Sequence, residues 1–309
     1  MHYDIIGDIH GHAEELRQLL NKLGYQRSGH GYRHAERQAV FVGDFIDRGP
    51  ANAEAVQIAK ATVEDGNGHA VMGNHEFNAI AFHTQRPDCR EFFRCHTEKN
   101  QRQHQATLDQ LSSIELREAT KWFKTLPVAI ELDGIRVVHA AWQPTDIQTI
   151  ETALDELGRF TVDFLTFACQ QDSPLFRAIE NVVKGPEIEL PEGKSFVDKD
   201  GHERFNTRVR WYANPAELTL QSYSIGAGDV LPDEPVSPRS SAGIASYPAS
   251  ERPVFFGHYW LQGPPMPFAP NVACVDYSVA KQGKLCAYQW NAGDTVLNPA
   301  QYVWVDALN

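Results

Sequence analysis

Cysteine is scarce in this chain: 309 residues hold five, Cys89, Cys95, Cys169, Cys274 and Cys286, odd in number and scattered. No C-x-x-C pair occurs. Neither a disulfide framework nor a thiolate zinc site is therefore expected, and the five read as small buried or half-buried residues. Long apolar runs are missing too: none approaches the ~20 residues of a membrane helix, so no membrane association is expected. Asp4 and Asp8 interrupt the N-terminal region at once, which does not fit a signal peptide, and a cytoplasmic location is the expectation. Positive charge is in deficit, 28 Lys and Arg against 40 Asp and Glu for a net −12. A surface of that sign gives no stable binding to nucleic acid. Phosphorylated substrates stay open, because bound metal ions would dominate the field at a site.

Signatures of several other chemistries are absent. Gly193-Lys194-Ser195 echoes the end of a P-loop, but Ile188 stands where its first glycine is required. No G-x-G-x-x-G follows a strand, and no G-x-S-x-G elbow exists.

What is present is a soluble globular composition, 42% hydrophobic and 22% charged, long enough to bury a substantial core. The first ~85 residues read as alternating strands and helices. Strands are expected at Tyr3 to Gly7, Gln38 to Gly43 and His69 to Gly73. Helices are expected at Ala13 to Leu23, stopped by Gly24, at Ala51 to Val63, and from His75. Residues 101–125 look helical and polar. Strands Pro127 to Glu131 and Ile135 to His139 flank Asp133-Gly134, a strong hairpin signal. A helical stretch from Asp146 to Phe167 precedes a proline-rich, loop-like region. Strands return at Pro253 to Gly257, Asn271 to Tyr277, Lys284 to Trp290 and Tyr302 to Val305. The whole of 1–309 reads as a single domain, with 143–252 an insertion or lid within it.

Three strings stand at the ends of the first three strands: Gly7-Asp8-Ile9-His10-Gly11, Gly43-Asp44-Phe45-Ile46-Asp47-Arg48-Gly49 and Gly73-Asn74-His75-Glu76. In open sheets with crossover helices, ligands gather beyond the carboxyl ends of the strands. Asp8, His10, Asp44 and Asn74 would converge there and offer carboxylate, imidazole and amide donors, a set suited to borderline-hard divalent ions. His139 and His258 each end a later apolar strand and complete the set. The expected assignment gives Asp8 and His10 to one ion and Asn74, His139 and His258 to another, with Asp44 bridging. Two ions ~3.5–4 Å apart can clamp an in-line displacement at phosphorus. The other histidines, among them His104 and His202, read as structural.

These strings resemble the calcineurin-like metallophosphoesterase superfamily, and most nearly its phosphoprotein-phosphatase branch, with its GDxHG, GDxxDRG and GNHE motifs and two later histidines. The stretch after Glu76 is also similar to the bacterial diadenosine tetraphosphatases. The resemblance covers residues 4–80 and the two histidines, and the 143–252 segment matches nothing in it. It implies an α/β (α+β) four-layer fold, a central β-sandwich flanked by helices. It implies a metal-dependent phosphoester hydrolase with two divalent ions, Mn²⁺ expected and Fe, Zn²⁺ or Mg²⁺ as alternatives, and a metal-bridging hydroxide as nucleophile. His75 would be the general acid, Asp47 its orienting partner, and Arg48 a grip on the phosphoryl oxygens. Phe77-Asn78-Ala79 supplies no second cation; Arg208 and Arg210, alternating on one strand face, are the candidate replacements, with ordinary solvated arginines as the other reading. The substrate would be a phosphorylated small molecule, a nucleotide or a phosphoprotein. A dinucleoside polyphosphate hydrolase or a phosphodiesterase is the alternative, and a catalytically silent binding module the remote one.

Overall fold

The computed structural model describes residues 1–197, 201, 203–225 and 230–308. His202 lies outside them. Among the described residues no helix is long and apolar enough to cross a membrane.

Runs such as Ile5-Ile6 and Ala39-Val40-Phe41 are β-branched and aromatic, and they pair as strands buried on both faces. The first sheet runs in the order Asp276–Tyr277, Lys284–Trp290, His2–Ile6, Arg37–Phe41, Gly68–Ala70, with Tyr302–Asp306 also paired to Lys284–Trp290. Its last three strands are parallel, and His2–Ile6 meets Lys284–Trp290 antiparallel. The second sheet runs Val272–Cys274, Val254–Phe256, Ile135–Val138, Ala129–Leu132. Its final pair is the hairpin, with Leu132 opposite Ile135 across Asp133-Gly134.

Side-chain alternation stacks the two sheets. Ile5, Val40, Val42, Val137, Phe255 and Ala273 fill the space between them. Their neighbours Ile6, Phe41, Val138, Val254 and Phe256 point outward into helices. Ala13–Lys22 and Asn52–Glu64 cover the first sheet, Leu16, Leu19, Leu20 and Ile58 facing in. Pro144–Leu157 and Pro174–Lys184 pack on each other beside the second, where the Val182 carbonyl accepts the amides of Ala140 and Ala141. The result is a four-layer α/β fold: helices, sheet, sheet, helices.

Two elements differ from the sequence-based expectation. Asn271 to Tyr277 is not one strand: Val272–Cys274 belongs to the second sheet and Asp276–Tyr277 to the first. Val275 carries the chain across, its side chain in the inter-sheet core and its amide on the Phe256 carbonyl. The supposedly loop-like stretch after 167 contains the helix Pro174–Lys184. Ser173 caps it, with Oγ accepting from the Phe176 amide at 2.9 Å, Pro174 opens it, and Leu175, Ala178, Ile179, Val182 and Val183 form its buried stripe. Beyond it, Glu187–Glu189, Asn206–Val209 and Ser224–Ile225 form a small antiparallel sheet with its own apolar cluster of Ile188, Val209, Tyr223 and Val236.

Candidate metal centre and its cavity

Five strands, His2–Ile6, Arg37–Phe41, Gly68–Ala70, Ile135–Val138 and Val254–Phe256, deliver their following residues to one edge of the sandwich. Crowding there explains the motif glycines. A Cβ on Gly73 would lie 2.2 Å from Asp44 Oδ1, and one on Gly257 would lie 1.9 Å from Asp8 Oδ1. The backbone is also forced into the left-handed region at His10 (φ 47°), Asp44 (53°), Asp47 (72°), Arg48 (70°) and His258 (71°). Such conformations cost on the order of 1–3 kcal/mol each and persist where the surroundings over-determine them. Here Glu76 is one such brace. Its buried carboxylate accepts the amides of Asp44 (2.7 Å), Phe45 (2.9 Å) and Gly73 (3.0 Å). Burial and then Asp44 push its pKa up to about 7.

Asp8, His10, Asp44, Asn74, His139 and His258 are brought together and all are buried. Asp44 Oδ2 lies 3.6 Å from His10 Nε2 and 3.4 Å from His139 Nε2. Asn74 Oδ1 lies 3.1 Å from the same His139 atom. Backbone carbonyls aim both rings: the far nitrogen of His10 meets Ile46 O at 3.0 Å, and that of His139 meets Val42 O at 2.7 Å. Two clusters of possible ligand atoms emerge, His10–Asp44–His75 and Asp44–His139–His258, each within 4.8 Å and sharing Asp44.

Asp8 Oδ1, His10 Nε2 and both ring nitrogens of His258 are buried with no hydrogen-bond partner among the described residues. Buried polar atoms are normally satisfied. Burial and then His75 pull His10 down to about 3, and burial and then Arg208 hold His258 well below its ordinary value. Both shifts favour the neutral ring, the form that binds metals, while at His139 burial is outweighed by Asp44, which raises the pKa to about 10. This donor set fits a pair of divalent ions.

Beside it, His75 opens the helix Asn74–His83, and its Nδ1 stands 2.5 Å from Asp47 Oδ2. Burial works against a charged His75, but Asp44 and Asp47 outweigh it and raise its pKa. The other oxygen of Asp47 accepts from His104 Nδ1 (2.8 Å) and Thr107 Oγ1 (2.5 Å). Burial of Asp47 is outweighed by these bonds and by His75, so its carboxyl titrates far below the usual range. Arg48 lies over Trp260, its guanidinium carbon 4.3 Å from the ring centroid.

The profile of the calcineurin-like phosphoesterases matches residues 1–220. The chain belongs to that family. It is 46% identical over 76 residues to the asymmetrical bis(5'-nucleosyl)-tetraphosphatase of Oceanobacillus iheyensis, a match covering 24% of this chain and 30% of that protein. The Bacillus subtilis protein of the same name is 42% identical over 76 residues, 24% of this chain and 31% of its own. The matched part is thus under a third of these curated relatives' length. Among solved structures, the cold-active protein-tyrosine phosphatase of a psychrophilic Shewanella superposes with a TM-score of 0.51 at 17% identity, covering 99% of this chain and 80% of that one. A protein serine/threonine phosphatase from Saccharomyces cerevisiae gives 0.50 at 14%, covering 99% and 79%. Both likenesses bear on the fold.

In this calcineurin-like phosphoesterase a cavity of about 640 Å³ opens over the metal donors and is walled by Arg48, His75, Arg94, Lys184, Arg208 and Trp260, among others. Arg208 and Arg210 part company. Arg208 lines the cavity, its Nε without a hydrogen bond and 3.9 Å from Glu187 Oε1. Arg210 follows the end of the strand at Val209, is exposed, and donates to Tyr212 Oη at 3.3 Å. Tyr259 is buried against Phe256 with its hydroxyl under Gly185.

Sequence reasoning missed the parts played by Glu76, His104, Thr107 and Arg94. No local pattern marked them: only the fold shows that His104 and Thr107 are the buried residues of the polar helix Glu98–Gln110, three apart and on one face.

Proposed function

We propose that this protein is a metal-dependent phosphoester hydrolase, with Asp8, His10, Asp44, Asn74, His139 and His258 as ligands to two divalent ions and Asp44 between them. The observation that carries the reading is the set of orphaned donor atoms on Asp8, His10 and His258, buried beside the His75–Asp47 pair. Manganese is the ion we expect, in a cytoplasmic protein of one domain with 143–252 as an insertion or lid, from which Glu187, Phe196, Asn206, Arg208 and Ile225 line the cavity.

Bound there, the ions would supply charge to polarise phosphoryl oxygens and lower the pKa of an attacking water. The protein's own groups do the rest. His75, its Nδ1 held by Asp47 Oδ2, presents Nε2 to the leaving-group oxygen and gives up its proton as that bond breaks. Asp47, held by His104 and Thr107, keeps the proton of His75 Nδ1 in place, so that the opposite nitrogen faces the reaction. Arg48 offers a planar fork to phosphoryl oxygens, its guanidinium seated over Trp260. The donor residues themselves are buried, which strengthens each of these interactions.

A second reading, a dinucleoside polyphosphate hydrolase, is favoured by the cationic cavity and by the names of the tetraphosphatase relatives. Turnover by the Mn²⁺-loaded protein on a phosphomonoester, a phosphodiester, a phosphopeptide and diadenosine tetraphosphate tests both. Activity on any class that is lost with His75→Asn supports the first reading, and a kcat/KM highest for diadenosine tetraphosphate supports the second. No hydrolysis of any of them overturns both.

A further inference from the structure

The cations of the cavity are not equivalent. Lys184 is paired with Glu180, Arg208 faces Glu187, Arg48 and Lys281 lie over Trp260, and Lys99 and Arg204 also line the wall. Arg94 is different. Its Nη1 donates to Asn78 Oδ1 at 2.9 Å and its Nη2 to Gln103 Oε1 at 2.7 Å. Both acceptors are neutral amides, which orient a guanidinium without cancelling its charge. Among the described residues no carboxylate stands within ion-pair distance of it. The side chain is half-buried, and burial lowers its pKa from the ordinary arginine value although Asp47 and Glu180 pull the other way. A desolvated charge without a counter-ion is costly unless a ligand supplies one, and this chain carries net −12.

Its position is fixed relative to the chemistry. Asn78 follows His75 by three residues on the helix Asn74–His83, so the two share a face. Arg94 is therefore tethered one helical turn from the proposed acid, in a loop whose own amide at Arg94 bonds to the Ala81 carbonyl at 3.0 Å. Arg94, Asn78, Gln103 and His75 all face the same cavity.

We propose that Arg94, aimed by Asn78 and Gln103, binds a second, non-scissile phosphoryl group of the substrate. This rests on the phosphoester reading above and narrows it to substrates carrying two or more phosphates. Arg94 makes no bond to the transferred group; it sets which esters dwell long enough to react. Asn78, which places no charge after Glu76, serves as its bracket.

Two measurements test this. By calorimetry on the Mn²⁺-loaded protein, pyrophosphate should bind more tightly than orthophosphate, and Arg94→Gln should remove that difference, a loss of about tenfold for a charge-assisted contact. Asn78→Ala, which keeps the arginine, should lose part of it. In turnover, Arg94→Gln should raise KM for diadenosine tetraphosphate by about the same factor with kcat little changed, leave p-nitrophenyl phosphate unaffected, and be partly rescued by Arg94→Lys. Equal effects on the one-phosphate and many-phosphate substrates, or a pyrophosphate preference that survives in Arg94→Gln, would overturn the proposal. Wild-type protein that binds pyrophosphate through Arg94 yet hydrolyses nothing would leave Arg94 as an anion site and sink the hydrolase reading instead.

Discussion

Arg48 lies over Trp260, 4.3 Å from guanidinium carbon to ring centroid, and the same indole stands 5.6 Å from the ring of His10. The Trp260 amide is itself held by Asp276 Oδ2 at 2.6 Å. The indole thus connects the proposed phosphate grip to the metal donors. Trp260→Leu should loosen Arg48 at a cost of about 1 kcal/mol, or roughly fivefold in KM. Steady-state kinetics beside Arg48→Ala checks it. If the two variants lose the same factor and the double variant loses no more, the indole acts through the arginine.

Removing one donor should act on metal content and removing the acid should not. Asp44→Asn is expected to lose at least one ion per chain by elemental analysis, because both donor clusters share this carboxylate. His75→Asn should keep its metal while kcat falls by roughly 10²–10⁴.

His104 is expected to matter to the rate without touching the substrate. Its Nδ1 holds Asp47, and its Nε2 meets His83 Nε2 at 3.0 Å. His104→Gln should lower kcat by about ten- to a hundredfold, the worth of one hydrogen bond to a charged group. KM and metal content should be unchanged. A variant with lower Tm and normal kcat would make His104 purely structural.

Stability should depend on pH through His83, pulled down to about 4 by burial and by neighbouring His104 and His96. The unfolded chain takes up this proton near 6.5 and the folded chain only near 4, so its contribution is complete above 6.5 and is lost as pH falls through that window. Urea unfolding at pH 7 and pH 5 should show a smaller difference for His83→Asn than for the wild type. An identical difference would assign the acid sensitivity to other groups.

The parts of the fold and site that were legible in the sequence are those fixed within a few residues of a strand end. The turn at Asp133-Gly134 and the strings around Asp8, Asp44 and Asn74 announce themselves because tight backbone approach demands glycine beside each donor, as at Gly73. The helix Pro174–Lys184 was equally written in Ser173-Pro174 and an i, i+4, i+8 apolar stripe, but proline was weighed as a loop marker and not as a first-turn residue. His104 and Arg94 were illegible for another reason. Their roles arise from contacts to Asp47, 57 residues away, and to Asn78, 16 residues away, and no local pattern encodes such pairings. Arg210 shows the reverse error: alternation placed it beside Arg208, but the strand stops at Val209.

The His258 amide donates to Asp8 Oδ2 at 3.0 Å across 250 residues of sequence. No stretch of chain shorter than that span contains both partners, so a nascent or truncated polypeptide lacking His258 holds at best a fragment of the donor set. With the proposed ligands, metal uptake would report completion of the fold: full affinity would require the first strand, the hairpin and the late strand Val254–Phe256 all in place. A chain synthesised without its last 60 residues should leave solution manganese essentially untouched, and the time course of metal binding on refolding should follow the slowest joining of the two sheets.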